Sequence, residues 1–98
     1  MHLDGARISN AAAALGVSLR ELVTESGIDV LSYGATKNGG LGAEAVVVLN
    51  PDLLAVMPYV RKQAMQLASK MRFVSAQLVA LLTDDLWRRN AEHANAMA

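Results

Sequence analysis

The sequence has 98 residues, 53% of them hydrophobic, and nine Lys and Arg balance nine Asp and Glu. This balance, without a basic run, argues against a nucleic-acid partner. The absence of cysteine excludes disulfides and a catalytic thiol, and it fits a reducing, cytoplasmic compartment. No apolar run reaches the length of a membrane span, and the N-terminus MHLDGAR has no apolar signal core. So much apolar surface in so short a chain predicts burial against further chain or further subunits.

The first segment predicts a strand followed by two helices. Met1 to Asp4 is typical of the end of a strand, which Gly5 interrupts. A helix is expected over residues 7–15, because this run is rich in alanine and Gly16 can close it in a left-handed conformation. Ser18 to Glu21 forms a capping-box pattern, which predicts a second helix that ends before a glycine at position 27.

Two further strands are predicted, at residues 28–32 and 45–49. The helical stretch before the first of them makes a βαβ crossover, so that strand should pair in parallel with Met1 to Asp4. A loop alone joins the two later strands, which favours antiparallel pairing between them. The uniformly apolar strand 45–49 is expected to be covered on both faces.

The second half is predicted to be helical. Asn50-Pro51-Asp52 is a helix start signal, and Pro58 is expected to end or kink the helix that follows. Met71, Val74, Leu78 and Leu81 lie at helical spacing and predict an amphipathic helix. Thr83-Asp-Asp is expected to cap a last helix carrying Leu86, Trp87, Ala91 and Ala94.

Two polar residues follow the tips of the predicted parallel strands. Asp4 ends the first strand, and Lys37 lies in the small-residue loop SYGATKNGGLG at 32–42. Ligands of open α/β sheets bind beyond the carboxyl ends of the strands, so both side chains are expected at one crevice. A lysine that forms a Schiff base with an aldehyde, and a carboxylate that keeps a pyridine nitrogen protonated, suit a pyridoxal phosphate enzyme.

Each of these residues also has a plainer interpretation. Asp4 can cap the helix that begins near Arg7, Lys37 can be a solvated turn lysine, and Arg7 can be a surface residue. His2 and His93 have no carboxylate or thiol at ligand spacing, so no metal site is predicted. The functional interpretation depends on the joint occurrence of the first three residues.

Four segments resemble one family. HLDGAR at 2–7 looks like the Asp-Gly-Ala-Arg segment of the threonine aldolase and β-eliminating lyase family, and ATKNG at 35–39 resembles its cofactor-lysine motif. SKMRFVSAQ at 69–77 and HANAMA at 93–98 are similar to the helical region of its low-specificity threonine aldolase branch. The resemblance runs through the whole chain but covers only a central part of a family member, so the chain is expected to be an internal fragment.

This resemblance implies an α/β fold, the type I fold of pyridoxal phosphate-dependent transferases, here with three strands, crossover helices and further helices behind them. Residues 1–50 would be part of the cofactor-binding large domain, and residues 51–98 a helical segment leading towards a C-terminal small domain. The ring-stacking histidine and the main phosphate loop of the family would lie in front of this segment. A second carboxylate-binding arginine would lie behind it.

The resemblance also implies the roles of four residues. Lys37 would be the catalytic lysine that holds pyridoxal 5'-phosphate, and Asp4 the partner of the pyridine nitrogen. Arg7 would lie near the cofactor and bind the carboxylate of the substrate, and Thr36 would touch the phosphate. Tyr33 and Ala35 stand where many relatives have Phe and Gly.

The activity implied is that of a lyase which cleaves threonine or other β-hydroxy-α-amino acids to glycine and an aldehyde. The full-length protein is expected to be a cytoplasmic homo-oligomer, a dimer or tetramer, and the 98 residues alone are expected to be inactive. The alternative from another class is a non-catalytic helical interaction module, in which the apolar stripe from Met71 to Leu81 docks on a partner.

Overall fold

The computed structural model describes all 98 residues, Met1 to Ala98. The strands and α-helices are, in chain order, β1 His2–Gly5, α1 Ile8–Leu15, β2 Val30–Gly34, β3 Glu44–Val48, α2 Met57–Gln63, α3 Arg72–Leu82 and α4 Leu86–Met97. Shorter helical turns lie between them, a π-helical one at Arg20–Thr24 and 3-10 turns at Thr36–Asn38, Pro51–Leu53 and Thr83–Asp85.

The three strands form one mixed sheet in the order β1-β2-β3. β1 pairs in parallel with β2, so that Asp4 lies opposite Ser32, and β2 pairs antiparallel with β3, so that Gly34 lies opposite Glu44. Both pairings are those that the sequence predicted. The chain is therefore an α/β segment whose first two strands end at a common edge.

The two faces of this sheet differ in burial. Leu31 and Tyr33 are each 5% exposed and belong to the hydrophobic core, which also takes side chains from α1, the π-helical turn and α3. The opposite face carries Asp4, Ser32 and Val46, and Val46 is 64% exposed. The prediction that the third strand is covered on both faces is therefore wrong for this segment, because helices pack on one face only.

The capping signals of the first half form as predicted. Gly16 closes α1 with a left-handed φ of 68°, and its N–H donates to carbonyls of the last turn. Glu21 accepts from both the N–H and the hydroxyl of Ser18, at 2.8 and 2.6 Å, and Ser18 Oγ accepts from the N–H of Glu21. The hydroxyl and then the N–H of Ser18 hold the pKa of Glu21 below its ordinary value of 4.5.

The helix after strand β3 begins differently from the prediction. Asn50 Oδ1 accepts a hydrogen bond from the N–H of Asp52 at 3.0 Å, as a cap should, but the helix it opens is a single 3-10 turn. Pro58 does not end a helix, because it lies in the first turn of α2. The N–H of a residue in the first turn has no partner within the helix, so proline sacrifices no hydrogen bond there, and its fixed φ suits the helix. Pro58 therefore starts α2 instead.

The two last helices pack back on the first half. The stripe predicted on α3 is confirmed, since Leu81 is buried and Met71, Val74 and Leu78 are half-buried. Thr83 does not cap α4, because its hydroxyl donates to the carbonyl of Val79 in the preceding turn.

Helix α4 lies against α1. The side chains of Asn10 and Asn95 are hydrogen-bonded at 2.9 Å, and Arg88 donates to the carbonyl of Val17 at 2.8 Å. Arg88 is thus half-buried, with its guanidinium carbon 4.9 Å from the centroid of the Trp87 ring. Among all the helices, none combines the length and apolar character needed to cross a membrane.

Candidate functional site

The predicted site residues lie at the edge where β1 and β2 end. Asp4 is the residue of β1 that faces Ser32 across the parallel pair, and Lys37 lies in the turn just after β2. Because the strands are parallel, their carboxyl ends meet at the same edge. The structure therefore brings the carboxylate and the lysine to one edge of the sheet.

The Asp4 carboxylate is held by the backbone of the turn that follows it. Its Oδ1 accepts from the N–H of Ala6 at 3.0 Å, while α1 begins only at Ile8, with Arg7 at the cap position and no capping side chain. Asp4 therefore orders the strand-to-helix turn and does not cap the helix. Its second oxygen makes no hydrogen bond within the chain, and the residue is exposed.

A histidine and a serine that the sequence analysis had not joined lie beside Asp4. His2 Nε2 and Ser32 Oγ are hydrogen-bonded at 2.8 Å across β1 and β2. His2 lies two residues before Asp4, and Ser32 is paired with Asp4, so all three side chains are on the same sheet face. His2 and Asp4 share a face because they are two residues apart on one strand, whereas Ser32 joins them only through the register of the strands.

Lys37 occupies the middle of the 3-10 turn Thr36–Asn38 and is exposed, with no ion pair in the chain. The next residue, Asn38, is only 4% exposed, and its Nδ2 donates to the carbonyl of Trp87 at 2.8 Å. The carbonyl of Asn38 accepts from Asn90 Nδ2, also at 2.8 Å. Helix α4 thus holds the turn on the C-terminal side of the lysine.

Thr36 and Arg7, the two other predicted residues, are also at this end of the sheet. The hydroxyl of Thr36 donates to Glu44 Oε1 at 2.5 Å. Arg7 is exposed and lines one shallow cleft together with Asp4. Glu44 was not singled out from the sequence, and the signal that points to it is its place opposite Gly34 at the start of β3.

The two residues that differ from the motif that the resemblance implies are both buried. Tyr33 and Ala35 are 5% and 0% exposed. Because Tyr33 alternates with Ser32 and Gly34 along β2, its ring lies on the core face of the sheet, away from Asp4. Its hydroxyl has no hydrogen-bond partner there.

Taken together, the ends of the strands carry an exposed sheet face, an oriented carboxylate and an unpaired lysine, within an α/β segment of mixed strand pairing. The family model of the beta-eliminating lyases matches residues 1–98. The chain belongs to the beta-eliminating lyase family.

Two curated relatives support this assignment. The chain is 53% identical over 98 residues to a "Low specificity L-threonine aldolase" of Pseudomonas aeruginosa and to another of that description from a Pseudomonas species. Each comparison covers 100% of this chain and 28% of the relative. The chain therefore spans little more than a quarter of the length of the curated relatives it matches.

Proposed function

We propose that this chain is a segment of a pyridoxal phosphate-dependent aldolase that cleaves threonine or other β-hydroxy-α-amino acids to glycine and an aldehyde. The observation that carries the proposal is the placement of Asp4 and Lys37 at one edge of the parallel pair β1 and β2. Its chemistry agrees with the printed description of the two relatives that are 53% identical. The activity belongs to the complete protein and not to these 98 residues alone.

The residues at this edge fit pyridoxal phosphate in their chemistry. Asp4 has one oxygen that the chain leaves without a donor, and Val46 on the same sheet face is 64% exposed. Lys37 is exposed and unpaired, so its amine is available for a covalent bond to an aldehyde. The proposed ligands are Lys37 for the aldehyde, Asp4 for the ring nitrogen and Thr36 for the phosphate.

When bound, pyridoxal phosphate supplies an electron sink for the negative charge that develops at the α-carbon of the substrate. Asp4 would hold a proton on the ring nitrogen through its free oxygen, and Lys37 would hold the cofactor through Nζ. Arg7 would orient the substrate carboxylate by a bidentate pair of hydrogen bonds. In the net reaction the bond between the α- and β-carbons breaks, the β-hydroxyl loses its proton and the α-carbon gains one.

The larger assembly follows from the same proposal. Residues 1–50 would be part of the cofactor-binding large domain of a type I fold, and residues 51–98 would lead to the small domain. Exposed apolar side chains, including Leu54, Tyr59 and Met65 at 56%, 70% and 87% exposure, support burial against further chain or a second subunit of a homo-oligomer. Family membership over the whole chain favours this interpretation over a non-catalytic interaction module.

The test uses a graft, defined as the Pseudomonas aeruginosa relative in which the matching segment is replaced by residues 1–98. In this graft, Lys37→Ala should abolish the visible absorbance of covalently bound cofactor and reduce threonine cleavage by at least about 10³-fold, because the attachment group is lost. Borohydride reduction followed by peptide mass analysis should find the cofactor on the Lys37 peptide of the unmodified graft.

Lys62→Ala is the matched control, since Lys62 is an exposed lysine on α2. It should leave absorbance and turnover unchanged. Cofactor absorbance that persists in Lys37→Ala, or a reduced adduct on another lysine, would overturn the proposal.

A further inference from the structure

The turn that carries Lys37 is anchored on both sides by residues distant in sequence. On its C-terminal side, buried Asn38 is hydrogen-bonded to Trp87 and Asn90 of α4. On its N-terminal side, the hydroxyl of Thr36 donates to Glu44 at the start of β3. A lysine has four rotatable bonds of its own, so it can be directed reliably only from a backbone that is itself fixed.

Glu44 is held where it can perform this anchoring. It lies opposite Gly34 in the antiparallel pair, and the N–H of Ala35 donates to the carbonyl of Ala43 at 3.0 Å, which closes the hairpin around the turn. A Cβ built on Gly34 would lie 3.0 Å from Glu44 Oε2. The carboxylate therefore lies near Gly34 on the same sheet face as Asp4, and a Cβ there would also meet the Cα of Ala6 at 2.9 Å.

The bond between Thr36 and Glu44 joins a hydroxyl to a carboxylate of two exposed residues. At 2.5 Å between Oγ1 and Oε1, it has the short distance of a hydroxyl that donates to a carboxylate. A hydroxyl has a single hydrogen to donate. While Thr36 gives it to Glu44, it has none for a phosphate, so the two roles of Thr36 compete.

We propose that Glu44 is a positioning residue for Lys37, acting through the hydroxyl of Thr36. The carboxylate fixes Thr36, and with it the first residue of the turn, so that Lys37 is presented to the open sheet face beyond Asp4. This inference rests on the proposed function of Lys37. It differs from that function in assigning Glu44 and the Thr36 hydroxyl to the orientation of the lysine.

Loss of the hydrogen bond between Thr36 and Glu44 should displace Lys37 by a small distance from its reactive position. In the graft, Glu44→Ala and Thr36→Val should each lower kcat about 10- to 100-fold, while KM stays within about threefold. The circular dichroism of the bound cofactor should fall in both, because a less fixed lysine holds the chromophore less rigidly. Glu44→Gln keeps an oxygen that accepts from Thr36 and should retain most of the activity and of the circular dichroism.

The effects of the two variants on kcat should not be additive. Because both remove the same hydrogen bond, the double variant of Glu44→Ala and Thr36→Val should be no slower than the slower single variant. Glu92→Ala is the matched control, since Glu92 is an exposed acid of α4 with no hydrogen bond or ion pair. It should change neither kcat nor the circular dichroism.

The outcomes separate this inference from the function on which it rests. If borohydride reduction leaves no cofactor on Lys37 of the unmodified graft, the proposed function fails. If Lys37 carries the cofactor but Thr36→Val leaves kcat and circular dichroism unchanged, or the double variant is additive, the role of Glu44 is overturned. Because the Thr36 hydroxyl is also proposed for the phosphate, a loss in Thr36→Val alone does not decide the matter. If Glu44→Ala does not fold, Glu44→Leu, which keeps the bulk of the side chain but has no acceptor, replaces it and should show the same losses.

Discussion

Tyr33 shows, at the scale of one residue, how the pleat of a strand places neighbouring side chains on opposite faces of the sheet. It is a near neighbour of Lys37 in sequence, yet its ring is 5% exposed on the core face and its hydroxyl has no partner. Ser32 and Gly34, on either side of it, face the opposite way, towards Asp4 and Glu44. The additional hydroxyl of Tyr33 therefore lies in the core and not in the site.

We expect Tyr33→Phe to raise the free energy of unfolding of the graft by about 1 kcal/mol, because it removes a buried hydroxyl that lacks a partner. Threonine cleavage should stay unchanged, since the ring does not face the site. Urea unfolding and kcat measure the two quantities. Tyr59→Phe, at a position that is 70% exposed, is the control and should lie within about 0.5 kcal/mol of the parent. A loss of stability in Tyr33→Phe would contradict the expectation.

At the scale of an element, the segment between α1 and β2 has a capping box, but the helical turn that it begins is very short. Ser18 and Glu21 satisfy each other's N–H groups, and the turn that follows, Arg20–Thr24, is π-helical and only five residues long. Val23 of this turn is 4% exposed and packs in the core. The cap and this one buried side chain hold the turn in place, since so short a helix is not stable by itself.

The cap should make stability depend on pH. Because folding lowers the pKa of Glu21 below 4.5, its stabilisation is complete above that value and is lost as the pH falls through the lowered pKa. We therefore expect Glu21→Gln to lower the melting temperature of the graft near neutral pH, with the difference disappearing in acid. Melting curves across this pH range measure it.

Ser18→Ala supplies the control for this prediction. Without the serine hydroxyl, which is the largest cause of the lowered pKa, the pH-dependent part of the effect of Glu21→Gln should shrink. A melting-temperature difference that stays constant from neutral to acid pH would show that the cap does not titrate as the structure indicates.

At the scale of the whole molecule, the chain is less compact than a domain of its size. Its accessible surface is 6671 Å², whereas a folded monomer of 10.4 kDa exposes about 5,400 Å². Its radius of gyration is 14.0 Å, against about 13 Å for 100 residues. All residues from 58 to 70 are exposed, and 15 of 98 residues are buried. The core is therefore small for the apolar content of the sequence.

We expect the isolated 98-residue chain to bind the dye ANS, to unfold over a broad temperature range and to show no aldolase activity, because its exposed apolar surface lacks a cover. The graft, studied beside it, should unfold in a sharp transition and bind little dye. A monodisperse, monomeric 98-residue chain with cooperative unfolding would instead favour the interaction module. Turnover by this chain at aldolase rates would contradict the proposed dependence on further segments.

The sequence by itself determined the features that depend on neighbours in the chain. The cap at Gly16, the capping box at Ser18, the Asn50 cap and the apolar stripe of α3 each involve residues within a few positions of one another. The parallel and antiparallel pairings followed equally, because the length of a connection restricts how two strands can pair. The predictions at Pro58 and Thr83 failed because another local arrangement formed, a proline in the first turn of α2 and a hydroxyl bonded to the carbonyl four residues back.

Only the tertiary structure decided which distant residues lie around Asp4 and the turn of Lys37. The bonds of Asn38 to α4, of Thr36 to Glu44 and of His2 to Ser32 join residues up to 52 positions apart. Such contacts depend on strand register and on how α4 returns to the sheet, and no short pattern in the chain encodes either of these. Asp4 and Lys37 could be singled out from sequence motifs, whereas the contacts of the residues around them arise only when the strands pair and α4 packs on the turn.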